Sequence, residues 1–541
     1  MVAARRVLIV EDEHIVQLHL RMILQDLGYE VTGVASSSAE ALACAQQDAP
    51  NLVLMDVRLA GQPDGIDTAR ELRARHGLDV VFLTAYADEG TVVRAEAVGA
   101  VGYLVKPFSK PQLRAALSTA FARQSDGAPR RAAPAAPTGR RPFGAGTRMA
   151  IFSHDTLGLG HLQRNLNLAW ALTSRFPDLS ILLLTGSAAL HRYPLPPRVD
   201  TVKLPSVRKV AAERYEARSL GLSDEQVLDL RTDLTLRAIQ GFDPHVLLVD
   251  HAPLGMGGEL LPALEWLRRE RPGTVRLAGL RDVIDSPARV AESWSRQRIH
   301  AALEELYDQI VVYGMPEVYD TAAAYSFTPA LRAKTRYCGY VGRFRPQGEE
   351  PQPELPPTGG RPLVLVTIGG GDGAGEEVLG AWLRMLQAHR SQLGFESLLL
   401  TGPFLDPGLA ERFRTEREGL PARLMDFVPS TRPYQERAEL VVCTGGYNTM
   451  VETASFAGRA LVIPRRMHRD EQLIRARRFE ELGLMSALDA TEATPERLFA
   501  EVARLLADPR KPLAEARAKG ALRLDGALRF AELCSQLEVA C

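Results

Sequence analysis

Apolar and polar positions alternate along this chain in a way that predicts strand and helix turn by turn. Between residues 5 and 123, the short apolar runs RVLIV, YEVTGVA, LVLMD, DVVFLTA and GYLVK are separated by amphipathic stretches near 14–27, 38–48, 65–76 and 88–98, with a last one from Pro111 to Ala122. Strand–helix alternation at this spacing predicts a parallel sheet covered on both faces. In the last stretch Leu113, Ala116, Leu117, Ala120 and Phe121 share one helical stripe, and Pro111 suits a first turn. A second alternating region opens at RMAIFSHDTLGLGH, with MAIFS, SILLLTG, HVLLVD, VRLAGL and QIVVYG as its strands. A third has PLVLVTIGGG, SLLLTG, ARLMDFV, LVVCTGG and RALVIP, and the tail 511–541 reads as helix.

The pattern lapses twice. Residues 124–147 (QSDGAPRRAAPAAPTGRRPFGAGT) and 345–361 (RPQGEEPQPELPPTGGR) are rich in Pro, Gly, Ala and charge, too poor in bulky apolar groups to bury a core, and read as linkers. The expected organisation is a first α/β domain at 1–123, a linker at 124–147, a second domain at 148–344 and a linker at 345–361. A third domain at 362–510 and a terminal helical segment at 511–541 complete it, the segment packing back on the second domain. Two α/β domains of similar size then flank a cleft.

Composition narrows the function. Lys plus Arg number 65 against 66 acids, a formal charge of −1, and no basic stripe with interleaved aromatics occurs, so nucleic acid is not an expected partner. The five cysteines show no CxxC spacing, which favours a reducing compartment. MVAARRVLIVEDE has only four apolar residues before its acids and reads as a strand rather than an export signal. No apolar run approaches the ~20 residues needed to span a bilayer. A cytoplasmic location, extending to the inner face of the membrane, is the expectation.

In the first domain Glu11 and Asp12 follow VLIV, Asp56 follows LVLM and Lys106 follows YLV. Ligands of parallel sheets gather beyond the carboxyl ends of the strands, so these groups should converge. Crowded carboxylates raise one another's proton affinity unless a cation sits among them, and a hard divalent ion such as Mg²⁺ answers that need. With Thr84, Tyr103 and Lys106-Pro107, these residues fall in the order and spacing of the response-regulator receiver family, which this segment resembles. The resemblance implies a flavodoxin-like fold, Asp56 as phosphoacceptor, and Mg²⁺ held by Glu11, Asp12 and Asp56. It also implies Thr84, Tyr103 and Lys106 as the switch, a cis Lys106-Pro107 bond, a sensor histidine kinase as partner, and homodimerisation through the receiver.

Three glycine-bearing turns mark the cleft. In FSHDTLGLGHLQRNLNLAWAL, Gly158 and Gly160 let backbone approach a ligand, and His161 begins a helix. In VTIGGGDGAGEE, amides of Gly369, Gly370 and Gly371 ahead of a helix suit a diphosphate. In CTGGYNTMVETASFAGRALVIPRRMHRDEQ, Gly445 and Gly446 end a strand, Thr449 lies in the first helical turn, and Glu452 follows on the same side, able to accept hydrogen bonds from vicinal hydroxyls. Asp470 and Gln472 follow the next strand. The same residues serve equally as tight βα turns, a helix cap and a surface charge.

Residues 148–541 resemble the GT-B glycosyltransferases related to the peptidoglycan lipid-linked N-acetylglucosaminyl transferase, on GLGH at 158–161, GGG at 369–371 and GGYNTMVE…HRDEQ at 445–472. The resemblance implies a twin Rossmann-like fold that binds a nucleotide sugar, a UDP-sugar being expected, through its C-terminal domain. Phe427 would lie by the base, Gly445, Gly446, Asn448 and Thr449 by the diphosphate, Glu452 on the ribose, and Asp470 and Gln472 on the sugar. A glycan or lipid-linked acceptor at the membrane surface would meet the N-terminal domain, with inversion at the sugar and no cofactor required for the transfer. This chain departs from the pattern in having only glycines in the first C-terminal loop, with Asp372 beside the expected diphosphate. His161 and Asp155 are the candidate bases, Asp250 the third, a histidine being matched to neutral pH. A phosphorylation-regulated transferase is the reading, against a nucleotide-sugar 2-epimerase or a non-catalytic sugar-nucleotide-binding response regulator.

Overall fold

The computed structural model describes residues 5–57, 59, 63–84, 98, 101–106, 110, 113–114, 116–117, 120–121, 139–154, 160–211, 214–344, 357–370, 375–403, 405–428, 430–465 and 470–540. These fall into two compact units, one within Met1–Ala132 and one within Ala133–Cys541.

The first unit is a five-stranded parallel sheet in the order β2-β1-β3-β4-β5. Its strands are β1 (Arg6–Val10), β2 (Glu30–Ala35), β3 (Leu52–Asp56), β4 (Asp79–Thr84) and β5 (Gly102–Val105), with helices α1 (His14–Asp26), α2 (Ser38–Asp48) and α3 (Gly65–His76) among the connections. The unbroken apolar runs follow from burial on both faces. Successive residues of β1 and β3 turn to opposite sides: Leu8, Val10, Val53 and Met55 enter one core, Val7, Ile9, Leu52 and Leu54 the other. The Asp64 side chain caps α3 by accepting the amides of Ile66 and Asp67 at 3.0 and 2.9 Å. Gly65 lets that helix start against the end of β3, since a Cβ there would lie 1.8 Å from the Asp56 carbonyl oxygen. Residues 88–97 of the expected helix and Pro107 lie outside the described residues.

The second unit holds two parallel sheets. The first contains β7 (Arg148–Ser153), β8 (Ser180–Thr185), β9 (Val199–Lys203), β12 (Val246–Asp250), β13 (Val275–Arg281), β14 (Gln309–Tyr313) and β15 (Thr335–Tyr337), in the order β15-β14-β13-β12-β7-β8-β9. The second contains β16 (Leu363–Thr367), β17 (Glu396–Leu400), β18 (Ala422–Met425), β19 (Leu440–Cys443), β20 (Ala460–Val462) and β21 (Ser486–Ala487), in the order β18-β17-β16-β19-β20-β21. Both follow the doubly wound order, so each has a switch point where the winding reverses, between β7 and β12 and between β16 and β19. Ligands of such sheets bind beyond the strand ends at that point.

The remaining strands form two small sheets. One is the antiparallel pair β10 (Val207–Ala211) and β11 (Arg214–Ala217). The other joins β6 (Arg140–Pro142) to β22 (Glu538–Ala540), which brings together part of the 124–147 segment read as a linker and the end of the tail read as helix. That tail is two helices, Pro512–Ala518 and Gly526–Ser535, and then the strand. Gly526–Ser535 packs on the helix Gly160–Arg175, where Ala527, Phe530, Ala531 and Cys534 share a core with Leu162, Leu166 and Leu168. Residues 345–356 of the other segment read as a linker lie outside the described residues.

Candidate active site

In the first unit the strand ends bring Glu11, Asp12, Asp56 and Lys106 together. Ligand oxygens of the three acids lie within 4.8 Å of one another, Glu11 and Asp56 buried and Asp12 exposed. Lys106 Nζ donates to Glu11 Oε2 at 2.5 Å and to Asp56 Oδ2 at 2.7 Å. Burial pushes the Glu11 carboxyl up to about 7; the Lys106 hydrogen bond opposes the rise and the Asp56 charge adds to it. Burial works against the Lys106 charge, but its bonds to Asp56 and Glu11 outweigh that and hold it above its ordinary value. An oxygen-lined site with a proton affinity this high suits a hard divalent cation, which would supply the missing positive charge. Thr84 closes β4, and Tyr103 lies in β5 opposite Phe82.

In the first sheet of the second unit, the switch point gathers histidines and one carboxylate. Asp250 ends β12 and is fully buried. Its Oδ2 lies 2.6 Å from Nδ1 of His161, on the first turn of Gly160–Arg175. Arg164, one turn along and almost fully buried, donates through Nε and Nη2 to Oδ1 at 3.1 and 2.8 Å, and through Nη2 to Oδ2 at 2.8 Å. Burial opposes the Asp250 charge, yet Arg164 and His161 hold the carboxyl below the ordinary range. Asp250, the third candidate base expected from the sequence, is the ion-paired partner of the histidine and of Arg164. Burial lowers the His161 pKa, Asp250 works against that, and Arg164 and Arg281 add to it. With Asp250 ionised, the 2.6 Å contact requires a proton on Nδ1, which leaves Nε2 as the lone-pair nitrogen. His154 and His251 complete the cluster, their rings 5.6 and 5.2 Å from that of His161. His251 takes the left-handed backbone at φ 68°, an uncommon conformation for a side-chain-bearing residue, and Arg281 Nη2 lies 3.0 Å from its Nε2. Asp155 and Gly158 lie outside the described residues.

Across the cleft, the loops after β16 and β19 meet at the second switch point. Gly369 has φ 70°, and a Cβ on it would lie 2.7 Å from Thr449 Oγ1. A Cβ on Gly445 would lie 2.6 Å from the Gln472 carbonyl oxygen, so only glycine fits there. Gly446 is the residue before the helix Tyr447–Phe456, whose first turn carries Asn448 and Thr449. Gly370 follows Gly369 in the same turn, while Gly371 and Asp372 lie outside the described residues. Gln472 is buried and accepts the Arg465 amide through Oε1 at 3.1 Å, so that oxygen serves the loop. Asp470 sits half-exposed at the cleft, its amide donating to Asp285 Oδ1 at 3.0 Å.

The two halves are joined at several points. Asn448 Nδ2 donates to the carbonyl of Gly160 at 2.7 Å, which puts the second glycine loop beside His161. Arg475 pairs with Asp282 at 2.9 Å, both side chains 1% exposed, and donates also to the carbonyls of Gly445 and Val283. Arg281 pairs with Glu471 at 3.0 Å. Glu452 lines a cavity between the halves with Gln163, Asn167, Tyr193, Arg343 and Asn448. Next to Tyr193, the Arg192 guanidinium lies over the half-exposed ring of Phe427, 5.6 Å from its centroid.

Sequence reasoning did not find Arg164, His154, His251, Arg281, Asp282 or Arg475. Two signals were present: Arg164 stands three residues after His161 on a helix, and Asp282 follows β13 much as Asp250 ends β12.

The chain matches the response regulator receiver domain over residues 7–118 and the glycosyltransferase family 28 C-terminal domain over residues 384–531. It is 42% identical over 119 residues to the transcriptional regulatory protein PdtaR of Mycobacterium tuberculosis, a match covering 22% of this chain and spanning 58% of that protein's length. Among solved structures, it is similar to the glycotransferase of kitacinnamycin at 18% identity and a TM-score of 0.50, over 73% of this chain and 98% of the other. It is also similar to MurG of Acinetobacter baumannii at 16% identity and a TM-score of 0.47, over 72% and 100%. Among the described residues no helix is long and apolar enough to cross a membrane. The chain thus carries a flavodoxin-like response regulator receiver domain, followed by a GT-B glycosyltransferase-like region that includes a glycosyltransferase family 28 C-terminal domain.

Proposed function

We propose that the second unit transfers a sugar, with inversion, from a nucleotide-diphosphate sugar to a glycan or lipid-linked acceptor, under control of phosphorylation at Asp56. The observation that carries the reading is the His161–Asp250 pair at one switch point, bonded through Gly160 and Asn448 to the glycine loops at the other.

His161 takes the acceptor proton at Nε2, while Asp250 holds Nδ1–H and stabilises the imidazolium that forms. The acceptor oxygen, made nucleophilic, attacks the anomeric carbon as the diphosphate departs on the opposite face. The backbone of Gly369, Gly370, Gly445 and Gly446, with Thr449 and the N-terminus of Tyr447–Phe456, receives the diphosphate charge, an arrangement helix ends and left-handed glycines supply. Glu452 accepts from the ribose hydroxyls, Phe427 lies against the base, and Asp470 and Gln472 face the sugar. A UDP-sugar is the expected donor, and backbone amides rather than a metal neutralise its leaving group.

In the receiver, Glu11, Asp12 and Asp56 would hold Mg²⁺, which would offset phosphoryl charge at Asp56. Lys106 binds a phosphoryl oxygen, with Thr84 and Tyr103 as the switch, and a sensor histidine kinase is the phosphodonor. The proposed location is the cytoplasm and the inner membrane face.

The test is release of nucleoside diphosphate from a panel of nucleotide sugars in the presence of membrane lipid and glycan extracts. His161→Ala is expected to lower turnover by about 10²–10⁴-fold. Turnover unchanged by that substitution would remove His161 from the chemistry, and a new nucleotide sugar formed from donor alone would make the protein an epimerase. Beryllofluoride treatment is expected to change turnover in the wild type and to do nothing in Asp56→Ala.

A further inference from the structure

Arg164 is a large cation sealed in the interior of the second unit, and the transfer chemistry above leaves it without a task. Its guanidinium grips both oxygens of Asp250. Its Nη2 also lies 2.8 Å from His161 Nδ1. With Nδ1 carrying the proton given to Asp250, that last contact sets a positive group against an N–H and cannot be a hydrogen bond. The same guanidinium lies 5.2 Å from the ring centroid of Tyr313, at the end of β14, and 5.4 Å from that of Tyr447, the residue after Gly446. Tyr447 in turn accepts the Val341 amide through its hydroxyl and has Arg475 5.6 Å from its ring centroid.

We propose that Arg164 is a positioning residue that keeps His161 neutral and aimed: it locks the Asp250 carboxylate so that one oxygen holds Nδ1–H, opposes the imidazolium charge, and ties this pair to the donor loop through Tyr447. This rests on the transferase reading given above. An aspartate beside a histidine favours the imidazolium and so raises the histidine's proton affinity. A cation sharing that aspartate restores the balance. The other charged or titratable groups facing His161 are His154 at the end of β7, His251 after β12, and Arg281 at the end of β13, which Glu471 already pairs. Arg164 is the member that touches both Asp250 and His161.

The experiment follows the His161 ring by NMR in full-length protein with isotope-labelled histidine, the signal being assigned with His161→Gln. Arg164→Gln is expected to raise the His161 pKa by about one unit or more, and Arg164→Lys to return it most of the way. The acidic limb of kcat/KM should move upward with it. A folded Arg164→Gln protein in which His161 titrates as in the wild type would overturn the proposal. If Arg164→Gln does not fold, the comparison becomes Asp250→Asn against Asp250→Asn with Arg164→Met. His161 is expected to titrate lower in the first than in the second, and equal values would overturn the proposal just as well. Because the titration needs no substrate, a protein that shows these shifts but transfers no sugar would sink the transferase reading and leave the charge balance standing.

Discussion

Asp282→Ala probes the joint between the two halves of the second unit. Asp282 and Arg475 are each 1% exposed, and the arginine spends Nε and Nη2 on this carboxylate. Without it, a guanidinium stays in the interior, bonded among the described residues to the carbonyls of Gly445 and Val283. Stranding one member of a buried pair costs about 3–5 kcal/mol. With an unfolding entropy of about 2.1 cal/mol/K per residue over roughly 400 residues, that lowers the transition by about 4–6 °C. Scanning calorimetry of the full chain measures it. The variant Asp282→Leu with Arg475→Met removes both charges and should return to within about 2 °C of the wild type, since well-packed apolar replacements of buried pairs are often neutral. A single variant that melts with the wild type, or a double variant worse than the single, would show that the pair is not what clamps the halves.

Gly65→Ala places a methyl against the Asp56 carbonyl, so helix α3 must shift, and the receiver transition in urea should weaken by about 2 kcal/mol. Asp56→Asn should abolish labelling by a small-molecule phosphodonor while leaving the fold of the second unit unchanged by circular dichroism. His245 accepts the Arg148 amide at 2.9 Å, and burial, with the charges of Arg148 and Arg141, lowers its pKa to about 4. The unfolded imidazole protonates near ~6.5, so between those values the unfolded chain binds more protons and stability falls as pH drops. After allowance for partial solvent access the loss is about 2 kcal/mol by pH 4. His245→Asn should flatten that part of the stability–pH curve, and an unchanged slope would mean another group titrates there.

How much of this was legible depended on whether a residue's partner lies near in sequence. Strands buried on both faces announce themselves as apolar runs, so LVLMD, HVLLVD and LVVCTGG were read directly. The edge strands β9 (VDTVK) and β15 (TRY) alternate with polar residues because one side faces water, and carried no such signal. β6 and β22 were unreadable for a further reason: each is three residues long, and they pair across nearly the whole second unit. In the receiver, strand-end acids converge because parallel topology forces them to, so the site followed from the strands. In the cleft, glycine-bearing turns between strands and helices pointed to His161 and the glycine loops. Asp250 was placed at the end of HVLLVD but without its partners, because the spacing of Arg164 from His161 puts the two on one helix face without showing which group the guanidinium meets. Asp282 stands at a strand end, but its partner Arg475 is 193 residues away and neither position points to the other.

In the function proposed above, the cleft holds a nucleotide sugar with Glu452 on its pentose. Titration calorimetry of UDP-, GDP- and dTDP-sugars against the wild type and Glu452→Ala tests it most directly. Saturable binding of one nucleotide class by the wild type is expected, weakened at least about tenfold in the variant, the cost of losing a charge-assisted hydrogen bond. Binding of equal strength by both proteins, or of no nucleotide sugar by the wild type, would contradict it.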